Sequence, residues 1–279
     1  MTNSETFTAV PQGPMIVPAR RGQEEVVFSL VVPTLNESQN LAELIAQLQP
    51  AIASAVGDAY EILVVDDDSA DRTWQVAARI AAQDARVRVM RRQSERGLAT
   101  AVVRGWQAAR GQWLGVIDAD LQHPPAAIAQ LLQAVLQGAD LAVASRYVEG
   151  GGTSDWPAIR GAFSRSSRAL GRMLLPQALA RVSDPMTGFF VVRRAAVQGV
   201  RLDPCGYKIL VELLVRAKLQ KIVEVGYVFH SRRRGKSKAS LKIFVEYVQH
   251  LFRLRREART AQREAAAQLN NEAAPSDRR

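Results

Sequence analysis

The chain has little that could cross-link it, carry it through a membrane or serve imidazole-based catalysis. Its 279 residues include a single cysteine, Cys205, so no intrachain disulfide can form and a reducing compartment is expected. Aromatic residues make up 6%, and the only histidines are His123, His230 and His250. No Ser/His/Asp arrangement is evident, and the basic stretches lack the interleaved aromatics of a base-stacking nucleic-acid surface. No apolar run approaches the roughly 18 residues needed to span a bilayer. Residues Met1 to Arg21 carry Glu5 and prolines where a secretion signal needs an apolar block. A cytoplasmic protein is therefore expected.

What is present is ordinary globular usage, 47% hydrophobic and 23% charged, which excludes a mainly disordered or collagen-like chain. The formal charge is +10, and it is local. Five arginines and no acid lie between Arg160 and Arg181. Nine basic residues lie between Ser231 and Ala258, against Glu246 and Glu257 alone. A polyanionic partner met at particular surfaces is expected: nucleic acid, an anionic bilayer or a phosphorylated substrate. A solvated basic face without a partner is the plain alternative.

The patterning divides the chain. Residues 1–25 are polar, with Pro and Gly, and read as a mobile leader. Then strands and helices alternate. Strands are expected at Val26–Val32, Tyr60–Val65, Val87–Met90, Trp113–Ile117 and Asp140–Ala144. Helices are expected at Ser38–Val56, Asp71–Ala82, Leu98–Ala109 and Pro125–Leu136. This is the pattern of βαβ units around a mostly parallel sheet, whose ligands bind beyond the C-terminal strand ends. The second half is less regular: helix within Ala158–Leu179, strand Phe189–Val192, helix Lys208–Leu219, strand Ile222–Phe229 and helix Leu241–Leu254. The tail from about Arg259 reads as disordered. The expected organisation is a leader (1–25), a catalytic domain (26–240), a basic amphipathic helix (241–258) and a tail (259–279).

Polar residues gather where the strands end. Asp118-Ala119-Asp120 directly follows Trp113–Ile117, and two carboxylates one residue apart can face one hard divalent cation, Mg²⁺ or Mn²⁺. Gln122 and His123 on the same turn could complete the shell. Asp66-Asp67-Asp68-Ser69-Ala70-Asp71 ends the second strand, and an acid there can accept from a ribose hydroxyl or a base N–H. A helix cap would also explain Ser69 or Asp71, but one such residue would suffice. Pro33-Thr34-Leu35-Asn36-Glu37 ends the first strand. Arg232 to Lys238 is a basic loop able to wrap a diphosphate; it lacks the leading glycine of a P-loop, since His230 occupies that place.

Together these pieces resemble the inverting glycosyltransferase family 2, of GT-A fold, and within it the dolichol-phosphate and polyprenol-phosphate mannose synthases. The matching strings are Val-Val-Pro-Thr-Leu-Asn-Glu (31–37), Val-Val-Asp-Asp-Asp-Ser-Ala-Asp (64–71), Arg-Gly-Leu-Ala-Thr-Ala-Val (96–102), Asp-Ala-Asp-Leu-Gln-His-Pro-Pro (118–125), Ala-Ser-Arg-Tyr (144–147), Asp-Pro-Met-Thr-Gly-Phe-Phe (184–190), Gly-Tyr-Lys (206–208) and Arg-x-x-Gly-x-Ser-Lys ending at Lys238. The resemblance implies a GT-A, Rossmann-like α/β fold. It implies a donor nucleotide-sugar held by Pro33, Leu35, Glu37, Val64, Asp66, Asp67, Asp118, Ala119, Asp120, Lys208, Arg232 and Lys238. It implies a metal on Asp118, Asp120 and Gln122, and an acceptor phosphate on Arg146 and Arg160. Asp120, Arg146 and Arg160 would be the catalytic residues. Leu35 departs from the family's usual Tyr, and Arg233 and Arg234 make the basic loop richer than the pattern requires.

The implied reaction fits the inventory. A nucleoside diphosphate leaving group gains negative charge that a divalent cation, Arg and Lys can stabilise. A phosphate acceptor is already an anionic nucleophile, so no strong base is required. Inverting transfer of mannose from GDP-mannose to a polyprenyl phosphate is the leading expectation. A UDP-sugar donor, a non-catalytic membrane scaffold and a basic nucleic-acid-binding module are the alternatives. The helix from Leu241 places Phe244, Val245, Val248, Leu251 and Phe252 on one side with basic borders, the pattern of a helix lying in a membrane interface or packing on its own core. A peripheral protein at the inner face of the membrane, with room for a separate membrane partner, is expected.

Overall fold

The computed structural model describes residues 7–20, 25–154, 158–204, 206, 208–231 and 241–272; residues 158–164, 241–243 and 261–272 enter through their helical backbone alone. Cys205, Arg232 and Lys238 lie outside the described residues.

The first half winds as the alternation predicts. Strands β1 (Phe28–Thr34), β2 (Tyr60–Asp66), β3 (Val87–Arg91), β4 (Trp113–Val116) and β5 (Leu141–Ser145) alternate with helices α1 (Leu41–Val56), α2 (Thr73–Ala81), α3 (Leu98–Ala108) and α4 (Ala127–Leu136). The short strand β6 (Gly152–Thr153) follows. Next come α5 (Ala158–Leu174), α6 (Pro176–Leu179), β7 (Phe190–Arg193), α7 (Arg194–Val197), α8 (Ile209–Arg216), β8 (Ile222–Gly226), β9 (Val228–Phe229) and α9 (Leu241–Glu272). The main sheet has the order β3-β2-β1-β4-β7-β5-β8. It is parallel except for β7, which lies antiparallel between β4 and β5. β6 and β9 pair in a small second sheet.

Period-two alternation divides the core. Leu30, Val32, Ile62 and Val64 face one layer with α1, α2 and α4. Val31, Leu63 and Val65 face the other, with α3, α8 and α9. Both faces are covered, which is why these strands read as continuous apolar runs. Pro33 lies inside β1 although the expected strand stopped before it. The Val31 carbonyl accepts from Ile117 at the end of the β4 ladder, and Pro33, two residues on, directs its missing donor past that end.

Three expectations are corrected. The leader is not mobile over residues 7–20: it is strapped to the body. Phe7 bridges Val89, Val17 is buried beside β-bridge partner Gln198, and Ile16 bridges Arg201. Arg104 and Arg194 donate to the Gly13 and Pro18 carbonyls, and Gln107 to those of Pro14 and Ile16. A polar, Pro-containing segment can do this because buried arginines satisfy its carbonyls. The tail expected to be disordered from Arg259 continues α9 to Glu272; its Ala, Gln, Glu and Arg are strong helix formers, and no Pro intervenes before Pro275. The single strand expected over Ile222–Phe229 breaks at Tyr227, so that β9 joins β6 instead of the main sheet.

Candidate active site

The site lies beyond the C-terminal ends of β1, β2, β4 and β5, and local strain marks it. Among the described residues, the non-glycine positions with left-handed backbone are Asn36, Asp68, Arg72 and Leu121, all in loops leaving β1, β2 and β4. A leucine at φ 57° is costly, about 1–3 kcal/mol, and persists only where the surroundings over-determine it. Leu121 directly follows Asp118-Ala119-Asp120, so the turn presenting these carboxylates is held by its neighbours.

Asp118 and Asp120 differ in their support. Asp120 Oδ1 accepts the Gln122 N–H at 3.1 Å, and the residue is 7% exposed. Asp118 Oδ1 is buried with no hydrogen-bond partner, and its Oδ2 stands 3.6 Å from His123 Nε2. His123 sits in an aromatic cage, 5.5 Å from the Phe189 ring, 5.2 Å from Tyr227 and 5.1 Å from Phe229. Gly188 faces Asp118 so closely that a methyl there would lie 2.6 Å from Oδ2. Gln122 donates its Nε2 to the His230 carbonyl at 3.0 Å, and His230 N–H returns to the Gln122 carbonyl at 2.9 Å. This ties the carboxylate turn to the segment entering the basic loop.

Opposite the carboxylates lie two cations, Arg146 buried and Lys208 half-buried. Arg146, at the end of β5, pairs with Asp184 through Nε (2.7 Å) and Nη2 (2.8 Å). Burial opposes the guanidinium charge, and the Asp184 carboxylate outweighs it. Lys208, capping α8, donates Nζ to the Met186 carbonyl at 2.6 Å. Burial pushes its ammonium down to about 8, with Asp118 and Asp184 pulling it back up and Arg146 adding to the fall. Burial also pushes the Tyr227 phenol well up, against the attraction of Arg146. Asp118, Arg146, Asp184, Lys208 and Tyr227 are thus near enough to act on one another's charge.

The structure brings Asp118, Asp120, Gln122, Ala119, Arg146 and Lys208 into one place, with Leu35 and Glu37 on the neighbouring β1 loop. Arg160 belongs to α5, and its side chain is outside the described residues, as are Arg232 and Lys238. Three of the expected donor contacts also serve the fold. Val64 is fully buried in the sheet, since the strand runs two residues beyond it. Asp66 is 0% exposed and accepts from Ser69 N–H (2.8 Å), Ser69 Oγ (2.6 Å) and Thr34 Oγ1 (2.7 Å). Asp67 takes Arg92 at 2.5 Å and the Gly97 N–H at 2.7 Å, closing the loop before α3. Asp71 accepts the N–H groups of Ser38 and Thr73. The acidic string therefore builds the loop connections around the pocket. Asp68 is half-buried and paired with Arg91, while Asp71 is the exposed acid of the string. Pro33 is buried in β1. Glu37 accepts from Asn40 Nδ2 at 2.8 Å, bracing the start of α1.

Side chains that sequence reasoning missed are Asp184, Gly188, Tyr227 and Glu224. For Asp184 and Gly188 the signal was the Asp-Pro-Met-Thr-Gly-Phe-Phe string, which runs into the antiparallel β7 beside β4; Glu224 and Tyr227, in and just after β8, carry no such signal.

The family model for glycosyl transferase family 2 matches residues 29–201, from β1 through the segment after β7. The chain belongs to glycosyl transferase family 2. It is a glycosyltransferase of GT-A fold. It is 45% identical to a dolichol-phosphate mannosyltransferase of Pyrococcus furiosus over 226 residues, covering 81% of this chain and 63% of that protein. It is 34% identical to the Saccharomyces cerevisiae dolichol-phosphate mannosyltransferase, covering 81% and 86%. It is 36% identical to the polyprenol monophosphomannose synthase of Mycolicibacterium smegmatis, covering 76% and 80%. Among solved structures, glucosyl-3-phosphoglycerate synthase from Mycobacterium tuberculosis matches with a TM-score of 0.62 at 22% identity, covering 84% of this chain and 80% of that one. Among the described residues, no three His, Cys, Asp or Glu side chains form a self-sufficient metal centre. A cation at Asp118 and Asp120 would have to share its shell with a substrate.

Proposed function

We propose that this family 2 glycosyltransferase transfers mannose from GDP-mannose to a polyprenyl phosphate, with inversion at the anomeric carbon, in a reaction dependent on Mg²⁺ or Mn²⁺. The observation that carries the reading is the grouping of two carboxylates one residue apart, Asp118 and Asp120, with the buried Arg146 and the half-buried Lys208 beyond the parallel strands, Asp118 keeping one buried oxygen without a protein donor. Its substrate class is that in the names of the relatives from Pyrococcus, Saccharomyces and Mycolicibacterium.

The residues fit a divalent cation. Asp118 Oδ1 is a buried acceptor with no protein donor, and Gly188 keeps the space beside the carboxylate clear. Asp118, Asp120 and the Gln122 amide oxygen would hold the ion, and when bound it supplies Lewis-acid stabilisation of the departing diphosphate. The chain's own residues do the rest. Arg146 would meet the acceptor phosphate with Arg160, and Lys208 would add positive charge near the donor with Arg232 and Lys238. Two like charges at 4 Å repel by about 4 kcal/mol at an effective dielectric near 20, so substrates that both carry phosphate need such cations to meet. A phosphate oxygen attacks directly, and no side chain has to remove a proton.

The lipid acceptor calls for a membrane surface. No helix among the described residues is long and apolar enough to cross a bilayer. On α9, Tyr247, His250, Leu251 and Leu254 pack inward, so Leu251 leaves the face expected to meet lipid. Val245, Gln249, Phe252 and Arg256 form the outward face. Phe252 is 54% exposed and Met173, on α5, 67%. Apolar side chains among arginines suit peripheral binding to anionic lipid, and we place this face against the inner leaflet.

The deciding experiment supplies labelled GDP-mannose, with UDP-glucose in parallel, to the protein with a polyprenyl phosphate in detergent and Mg²⁺ or Mn²⁺. Metal-dependent lipid labelling from GDP-mannose is expected. Labelling from UDP-glucose alone would move the donor, and no transfer from either would overturn the reading.

A further inference from the structure

Behind Arg146 stands a relay of buried and half-buried polar groups that contains none of the expected site residues. Asp184 is 0% exposed, and both of its oxygens go to Arg146: Oδ1 to Nη2, and Oδ2 to Nε and, at 3.3 Å, the backbone N–H. The turn carrying Asp184 is itself fixed by Glu224 of β8. That carboxylate accepts Ser183 N–H at 2.8 Å, Ser183 Oγ at 2.7 Å and Asp184 N–H at 3.3 Å. Ser145 Oγ, next to Arg146 in sequence, lies 2.6 Å from Ser183 Oγ. The guanidinium carbon lies 5.4 Å from the Tyr147 ring centre and 5.5 Å from that of Phe229.

A pair this deeply buried is a poor device for stability, because desolvation cancels most of the attraction. It is a good device for geometry. An arginine side chain has several rotatable bonds, and a bidentate carboxylate fixes the plane of its fork. We infer that Asp184 is a positioning residue, which orients the Arg146 guanidinium to receive the phosphomonoester of the acceptor, with Glu224 fixing Asp184 in turn. The inference rests on the phosphate-acceptor reading above. It assigns Asp184 no contact with either substrate. The pair is distinct in consequence from Arg92–Asp67, whose arginine is also bonded to Gly97 O, Thr100 and Glu95 and closes a loop.

The test is a double-mutant cycle read by calorimetry with farnesyl phosphate, a short isoprenyl phosphate whose binding needs no turnover. Asp184→Asn keeps size and removes the charge. Its farnesyl phosphate affinity should fall at least tenfold, while its GDP affinity in Mn²⁺ stays within twofold. Arg146→Lys should cost as much alone as together with D184N, because each change removes the same oriented fork. Wild-type affinity in D184N, or additive losses, would overturn the inference. Equal loss of GDP and farnesyl phosphate binding would also overturn it, by giving Asp184 a general structural role. If D184N does not fold, Glu224→Gln provides the same comparison, with a loss of about threefold expected and none overturning the relay. A wild-type chain that binds farnesyl phosphate yet transfers no mannose from GDP-mannose would refute the donor assignment and leave this inference standing. A wild-type chain that does not bind it would refute both.

Discussion

Gly188→Ala is the most economical probe of whether the Asp118 carboxylate does chemistry. The added methyl would lie 2.6 Å from Asp118 Oδ2 and 3.0 Å from both Cγ and Oδ1. Ordinary contact begins at 3.4 Å, so the carboxylate or the β7 entry must move by about 0.8 Å. Gly188 is not among the glycines with left-handed backbone, so the conformation itself accepts alanine. The damage is therefore aimed at one carboxylate. A misplacement near 1 Å costs roughly 10²-fold in rate where geometry governs the reaction. That is about 2.7 kcal/mol of lost transition-state stabilisation. Folding should be little affected, because Gly→Ala also restricts the unfolded chain by about 0.4–1 kcal/mol. The assay is initial-rate mannose transfer at saturating GDP-mannose across a Mn²⁺ titration, with a thermal melt on the same sample. A 100-fold lower kcat, a higher Mn²⁺ requirement and an unchanged melt are expected. Activity within threefold of wild type and an unchanged Mn²⁺ titration would refute the placement of a working carboxylate at Asp118.

Four further outcomes follow from the structure. Asp120→Ala should lower transfer by more than 10³-fold, and chelation of divalent cations should do the same to the wild type; unchanged turnover in the variant would remove Asp120 from the cation site. Val17→Ala, in the strap, should lower the unfolding free energy by about 1–2 kcal/mol while kcat stays constant, measured by urea unfolding alongside kinetics. Burial, with Arg253 and Arg216, holds the His250 imidazole down to about 4 against Asp203, and its Nε2 lies 3.2 Å from the buried Glu212 carboxylate. Its folded value lies below the ordinary 6.5, so it destabilises the fold as pH falls through the window from about 6.5 to 4. His250→Gln should flatten that acid limb in melts run from pH 7 to 4. Phe252→Glu should reduce sedimentation with anionic vesicles without altering transfer to a short, soluble isoprenyl phosphate.

The parallel half of the fold was legible because its strands are buried on both faces and its helices keep a clear apolar stripe. Leu41, Leu44, Ile45 and Leu48 mark α1 unmistakably. The start of α1 was placed three residues early because Glu37–Asn40 forms a turn whose N–H groups go to the loop after β2, a tertiary matter. The strap could not be read because it is ordered by Arg104, Gln107 and Arg194, about 90 to 180 residues away. In the site, Asp118 and Asp120 announce themselves by following an apolar strand. Asp66 and Asp67 look the same in sequence, and only their partners Ser69, Thr34, Arg92 and Gly97 show that they also brace the loops. Asp184 lay inside the quoted Asp-Pro-Met-Thr-Gly-Phe-Phe string, but the string gave it no role; its pairing with Arg146 follows only once β7 docks against β5.

The place of β7 has a consequence for the order of events during synthesis. β4 and β5 are neighbours in sequence but are separated in the sheet by a strand made later. Roughly 77 residues separate the end of β4 from the end of β7, about 4–15 s at 5–20 residues per second. Through that interval the β3-β2-β1-β4 half can zip as it emerges, whereas β5 has no partner of its own. Asp118 and Asp120 leave the ribosome on the early half, Arg146 and Asp184 on the late one. The cleft between carboxylates and cations is thus assembled only when the antiparallel strand docks, and a nascent chain stalled before residue 193 would carry Asp118 and Asp120 with Arg146 not yet held beside them.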